Sequence, residues 1–106
     1  MSKTWFLTPS AQAALVDIYH YTMTKWGEEQ AERYTSGLFD KFEAILHHVV
    51  LWRPIAPQYN VSGYVTRYEK HFIYWRQFSD GQIGIAAILH KSMLKTDRLA
   101  AGFEEF

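Results

Sequence analysis

The sequence contains no cysteine. That excludes a disulfide framework, a thiolate zinc site and a cysteine nucleophile, and it fits a reducing compartment. No apolar run approaches the ~18 residues of a membrane-spanning helix. Lys3 is followed by only a short apolar patch and then Pro9, which is not the pattern of a secretory leader. These absences lead to the expectation of a cytoplasmic protein with no membrane partner. Net charge is also missing: 11 Lys and Arg balance 11 Asp and Glu. Nothing therefore pulls the whole molecule toward nucleic acid.

Aromatic residues, by contrast, are abundant: seven Phe, seven Tyr and four Trp among 106 residues. Each buries a large area, which lets a short chain build a stable core. The length suits one domain, residues 1–106. Charge is unevenly spread. Residues 1–52 hold four basic and six acidic groups, whereas Arg67–Arg98 holds six basic against three acidic.

Residues Lys3–Thr8 are β-prone and read as a first strand, at a sheet edge or beside the last strand. Thr8-Pro9 marks a helix start, since a threonine hydroxyl caps well and proline suits the first helical position. Ala11, Ala14, Leu15, Ile18, Thr22 and Trp26 then form one helical stripe, and Gly27 stops the helix. A second helix opens with Glu28, Glu29 and Glu32 at the positive end of its dipole. Its stripe is Ala31, Tyr34, Leu38, Phe42, Ile45 and Val49. Gly37 within it is read as a point of close packing against the first helix. Trp52–Ser62 has two prolines and no periodicity, so it reads as a loop.

Three strands follow: Gly63–Glu69, His71–Phe78 and Gln82–His90. Ser79-Asp80-Gly81 forms the hairpin turn between the last two. In the last strand Ile83, Ile85, Ala87 and Leu89 alternate against Gly84, Ala86, Ile88 and His90, so the face of Gly84 and Ala86 is expected either to lie close to another element or to floor a groove. The tail Met93–Phe106, with its RLAAGFEEF, reads as either a short helix or disorder. The order strand, helix, helix and three strands is an α+β pattern, β-α-α-β-β-β, with the helical hairpin packed on a small antiparallel sheet.

Chemistry is harder to find. The histidines, His20, His47, His48, His71 and His90, show no metal-ligand spacing, and no nucleophile elbow or phosphate loop appears. No cofactor or metal is expected. Arg67, Arg76 and His90 are the one set with the types needed for metal-free RNA cleavage: a cation for the phosphate and an acid and base for the oxygens.

His71-Phe72-Ile73-Tyr74-Trp75-Arg76 and Ile88-Leu89-His90-x-x-Met93, with Arg98-Leu99 after them, resemble the signature strands and tail of the ParE/RelE toxin superfamily, in its ParE branch. Upstream, Ala13-Ala14-Leu15-x-Asp17-Ile18-x-x-Tyr21, with Trp26-Gly27 and Gln30-Ala31, is similar to the two-helix segment of that family. Trp75 stands where many members carry tyrosine, Leu94 replaces a common aspartate, and Pro57-Gln58 occupies a loop where Gly-Arg is usual. The resemblance implies a plasmid-stabilisation toxin of a type II toxin–antitoxin module, held inactive in a hetero-oligomer by a ParD-like antitoxin and directed at DNA gyrase. The alternative branch implies a RelE-like, ribosome-dependent messenger-RNA endoribonuclease using Arg67, Arg76 and His90. The absence of a convergent acid–base pair favours the protein-binding toxin. Its target or antitoxin surface is then expected at Tyr64, Arg67, Tyr68, Trp75, Arg76, Lys91, Met93, Lys95, Arg98 and Leu99, with Tyr64, Tyr68 and Trp75 as exposed anchors.

Overall fold

Thr8 joins two elements. In the computed structural model, which describes residues 4–93 and 95–106, strand β1 (Trp5–Leu7) ends there and helix α1 (Pro9–Trp26) begins. Lys3 of the expected first strand, and Leu94, lie outside the described residues. The Thr8 hydroxyl accepts the amide of Ala11 at 3.1 Å and donates to the carbonyl of Ala86 at 2.8 Å. One buried side chain therefore caps α1 and fastens it to the sheet.

Ala11, Leu15, Ile18 and Thr22 are the buried face of α1, as the spacing requires. Trp26, expected to extend that stripe, is 65% exposed, because the helix outruns the sheet beneath it. Gly27, at φ 98°, stops α1 and lets helix α2 (Glu28–Leu46) start one residue later. The second helix stops at His47 rather than continuing to Val49. His48 takes φ 59° there, and Val49 is left in solvent. A Cβ at Gly37 would collide with the Tyr68 hydroxyl. The close approach that calls for glycine is thus helix to sheet, not helix to helix.

The region expected to be only a loop contributes a two-residue edge strand, β2 (Arg53–Pro54), and a single 3₁₀ turn at Pro57–Tyr59. Proline is tolerated there because its missing amide faces no neighbour. Strands β3 (Tyr64–Tyr68), β4 (His71–Gln77) and β5 (Ile83–His90) complete a five-stranded sheet in the order β1-β5-β4-β3-β2. The α+β architecture matches the expectation. All pairs are antiparallel except β1 with β5, which is parallel and makes the sheet mixed.

Helix α3 (Thr96–Glu104) resolves the tail and lies on the face opposite α1 and α2. A Cβ at Gly84 would meet Phe106 and Phe78, and one at Gly102 would meet the Ala86 carbonyl. The small residues of β5 therefore make no open groove floor: they are the seat of this helix. Ala86 is also a β-bulge, since Trp75 pairs with Ile85 and Tyr74 with Ala87. The extra residue reverses the alternation. Ile88 joins Ile83 and Ile85 in the core beneath α1 and α2, while Ala87 and Leu89 pack with Leu99 and Phe103.

Candidate functional site

Beyond the bulge, β5 loses its outer neighbour. The parallel pairing covers only Ile83–Ile85, and the last backbone-to-backbone bond on that side runs from the Thr8 amide to the Ile85 carbonyl at 3.0 Å. On the inner side the Lys91 amide donates to Lys70 at 3.2 Å. An antiparallel ladder alternates, so Ala87, Leu89 and Lys91 point their backbone groups at β4, and Ile88 and His90 point theirs outward. The His90 carbonyl accepts the Met93 amide at 3.0 Å. The amide and carbonyl of Ile88 have no hydrogen-bond partner among the described residues.

This open edge forms the wall of a groove of about 360 Å³ between α1 and α3. Ala13, Ala14 and Asp17 line one side, and Met93, Arg98 and Ala101 the other. Ser10 also lines the groove and is bonded to Glu105. The Glu105 carboxylate accepts the Ser10 amide at 2.8 Å and its hydroxyl at 2.7 Å, which holds the carboxyl below the usual range. His71 is a further lining residue. A mostly apolar trough with unpaired strand hydrogen bonds suits an extended or helical peptide.

The expected site residues scatter around this trough rather than forming one surface. Met93 and Arg98 line it and are exposed. Lys91 is exposed at the end of the sheet, and Lys95 holds its Nζ 5.0 Å from the Phe72 ring centre. Leu99 is fully buried on the sheet-facing side of α3, so it anchors that helix instead of meeting a partner. Trp75 is 4% exposed, because its side of the sheet is covered by the helical hairpin. Tyr64 and Tyr68 are half-buried on that same side. The Tyr64 ring packs on Trp52 at 4.9 Å, and the Tyr68 hydroxyl donates to the Tyr34 carbonyl at 3.1 Å. Trp52 is 53% exposed and was not among the expected anchors.

Arg67 and Arg76 share the α3 side of the sheet. Arg67 pairs with Phe72, four residues along β4 from Arg76, which is a separation of about 13 Å at ~3.3 Å per residue. Arg67 spends its Nε on the Glu69 carbonyl at 2.7 Å. Arg76 donates to the Ser62 carbonyl at 2.9 Å and lies 5.0 and 5.3 Å from the rings of Phe103 and Phe106. His90 faces the opposite side, with its ring 5.3 Å from that of His71 and its Nδ1 2.8 Å from the Ser92 hydroxyl. The three groups required for RNA cleavage do not meet.

The groove's α1 wall carries no cluster of charged or aromatic residues: beside the alanines, Asp17 is its single charged group. A family model described as the ParE toxin of the type II toxin–antitoxin system parDE matches residues 6–95. The chain belongs to the ParE toxin family. The match begins within β1 and ends just before α3, so it includes α1, α2 and all of β5. Toxin ParE1 of Mycobacterium tuberculosis, in strains CDC 1551 / Oshkosh and H37Rv, is 29% identical over 96 residues, covering 88% of this chain and 94% of the relative. A solved structure of the chromosomal ParDE system from P. aeruginosa superposes with a TM-score of 0.62 at 21% identity, covering 85% of this chain and 95% of that one. That likeness bears on the fold. Among the described residues no helix is long and apolar enough to cross a membrane.

Proposed function

We propose that this ParE-family protein acts in the cytoplasm as the toxin of a plasmid-stabilisation module. In this reading it inhibits DNA gyrase and is neutralised by a ParD-like antitoxin in a toxin–antitoxin hetero-oligomer. Residues 1–106 act as one domain. The observation that carries the antitoxin half is the trough between α1 and α3 with the unpaired amide and carbonyl of Ile88 in its wall. An amphipathic antitoxin segment fills such a trough with apolar side chains, and an extended stretch adds a strand along β5. Met93 and Arg98 stand at the rim and supply contacts to it.

The gyrase half rests on membership of the ParE family and on the dispersal of Arg67, Arg76 and His90, which favours action by binding over RNA cleavage. The purified protein should stop supercoiling by gyrase in a plasmid assay, and induction in cells should raise the DNA-damage response while messenger RNA stays intact. Supercoiling that proceeds normally at toxin concentrations far above those that arrest growth overturns the gyrase reading.

A further inference from the structure

One end of the sheet is strongly basic and lies outside the trough. Arg67 on β3 and Lys95 before α3 both neighbour Phe72: Arg67 is its cross-strand partner, and the Lys95 ammonium sits 5.0 Å over its ring. Lys70, in the turn after β3, accepts the Lys91 amide at its carbonyl at 3.2 Å, which brings these two lysines side by side across the strands. Arg67, Lys70 and Lys91 are exposed. The nearest acidic groups in sequence are Glu69 and Asp97. Neither pairs with any of the four cations: among the described residues the ion pair present is Arg33–Glu29, on α2. The counter-charge of this net-neutral chain lies elsewhere. The helical hairpin, residues 9–46, carries six acidic and three basic groups. The molecule is therefore polarised, and at this end four cations outnumber the two carboxylates of Glu69 and Asp97.

We propose that this end, through Arg67, Lys70, Lys91 and Lys95, binds the phosphate backbone of duplex DNA. Four cations drawn from both sheet hairpins and the segment before α3 form a surface that requires no base contact, which is how proteins bind a duplex irrespective of its sequence. Single-stranded nucleic acid is usually held by aromatic rings that stack on unpaired bases. The aromatic rings at this end are all half-buried, Phe72 with Lys95 across it and Tyr68, His71 and His90 packed on the other face among themselves and Tyr34, so they offer no stacking platform. The choice of DNA over an RNA duplex rests on the gyrase reading, since gyrase works on DNA. The contact would place the toxin against the nucleic acid beside its target.

The test is the fluorescence anisotropy of a labelled DNA duplex titrated with the full-length toxin. Four phosphate contacts give a slope of about −3.6 in log affinity against log salt, so binding should weaken by about 100-fold between roughly 50 and 200 mM salt. K70E/K91E alters two exposed residues; it should unfold at the wild-type temperature and should halve that slope. An undetectable complex at low salt overturns the inference. So does an unchanged slope in K70E/K91E, or tighter binding of an RNA duplex or of polyglutamate than of DNA. A toxin that blocks gyrase without binding free duplex overturns this inference and leaves the gyrase reading standing. One that binds duplex but spares gyrase does the converse.

Discussion

The Tyr34 hydroxyl lies 2.7 Å from Nδ1 of His71, joining the middle of α2 to the start of β4. Burial pushes the Tyr34 phenol up to about 12, so at neutral pH it carries its proton. Burial, with a smaller contribution from His90, pulls His71 down to about 4. A neutral His71 whose proton is on Nε2 leaves Nδ1 to accept from the tyrosine.

That depression makes stability depend on pH in one direction. Above the unfolded value of 6.5 both states hold a neutral ring, and nothing is lost. As the pH falls from 6.5 toward 4 the unfolded chain binds a proton that the folded ring refuses. Discounting for the ring's partial contact with solvent, the loss is about 2 kcal/mol, and it levels off below the folded value. Denaturant midpoints measured across this range should show the slope, and H71Q should flatten it. A slope unchanged in H71Q would assign the effect to another group.

Gly37 and Tyr68 form a second coupled pair. Replacing an exposed helical glycine with alanine normally stabilises by up to ~1 kcal/mol. Here the new Cβ meets the Tyr68 hydroxyl, whose bond to the Tyr34 carbonyl fixes its position. G37A should therefore destabilise, by about 1–2 kcal/mol. Combining it with Y68L removes the obstructing ring. The two substitutions should then be non-additive by at least ~1 kcal/mol in a double-mutant cycle of urea unfolding.

The helices were legible from the chain because their apolar residues recur at a period that only a helix satisfies, and Thr8-Pro9 and Gly27 mark the boundaries. The phase of β5 was not. Ile83 to Leu89 are all buried, so neither face carries the polar residues that would reveal an alternation or its break at Ala86. The same double coverage explains Trp75, which reads as an exposed anchor only if one face of the sheet is open. The seat at Gly84 and Ala86 was correctly identified as a place of close approach, but no sequence rule says that the chain's own tail is what approaches. Met93 and Arg98 on one rim of the trough were among the expected residues, but its α1 wall is mostly small or apolar and its β5 wall is strand backbone, and an unpaired amide has no signature in the sequence.

Arg76 holds that tail in place. Its guanidinium lies against Phe103 and Phe106 and donates to the Ser62 carbonyl, tying α3 and the loop before β3 to the sheet. R76A should cost about 2 kcal/mol, the sum of a partly buried cation–π contact and a charged hydrogen bond. R76K should recover less than half, because an ammonium lacks both the flat face and the Nε–H. Toxicity should fall in step with stability across the two variants. A stable R76K that has lost all toxicity would instead give the guanidinium a direct role at the target.

The trough between α1 and α3 yields the sharpest separation of functions. Ala13 and Ala101 are exposed on its opposite walls and touch it only through their methyl groups. A13R/A101R fills the space with two long side chains, yet leaves the cores on both faces of the sheet untouched. The variant should fold and arrest growth as the wild type does. Co-expressed antitoxin should no longer rescue the cells, and its affinity by calorimetry should drop at least ~100-fold, the scale of losing a central anchor. Hydrogen exchange gives a second reading on the native pair. The Ile88 amide faces the trough in the free toxin and should become protected when the antitoxin binds, since strand addition along β5 would pair it. Rescue that survives A13R/A101R, with Ile88 exchange unchanged on complex formation, would place the antitoxin on another face of the molecule.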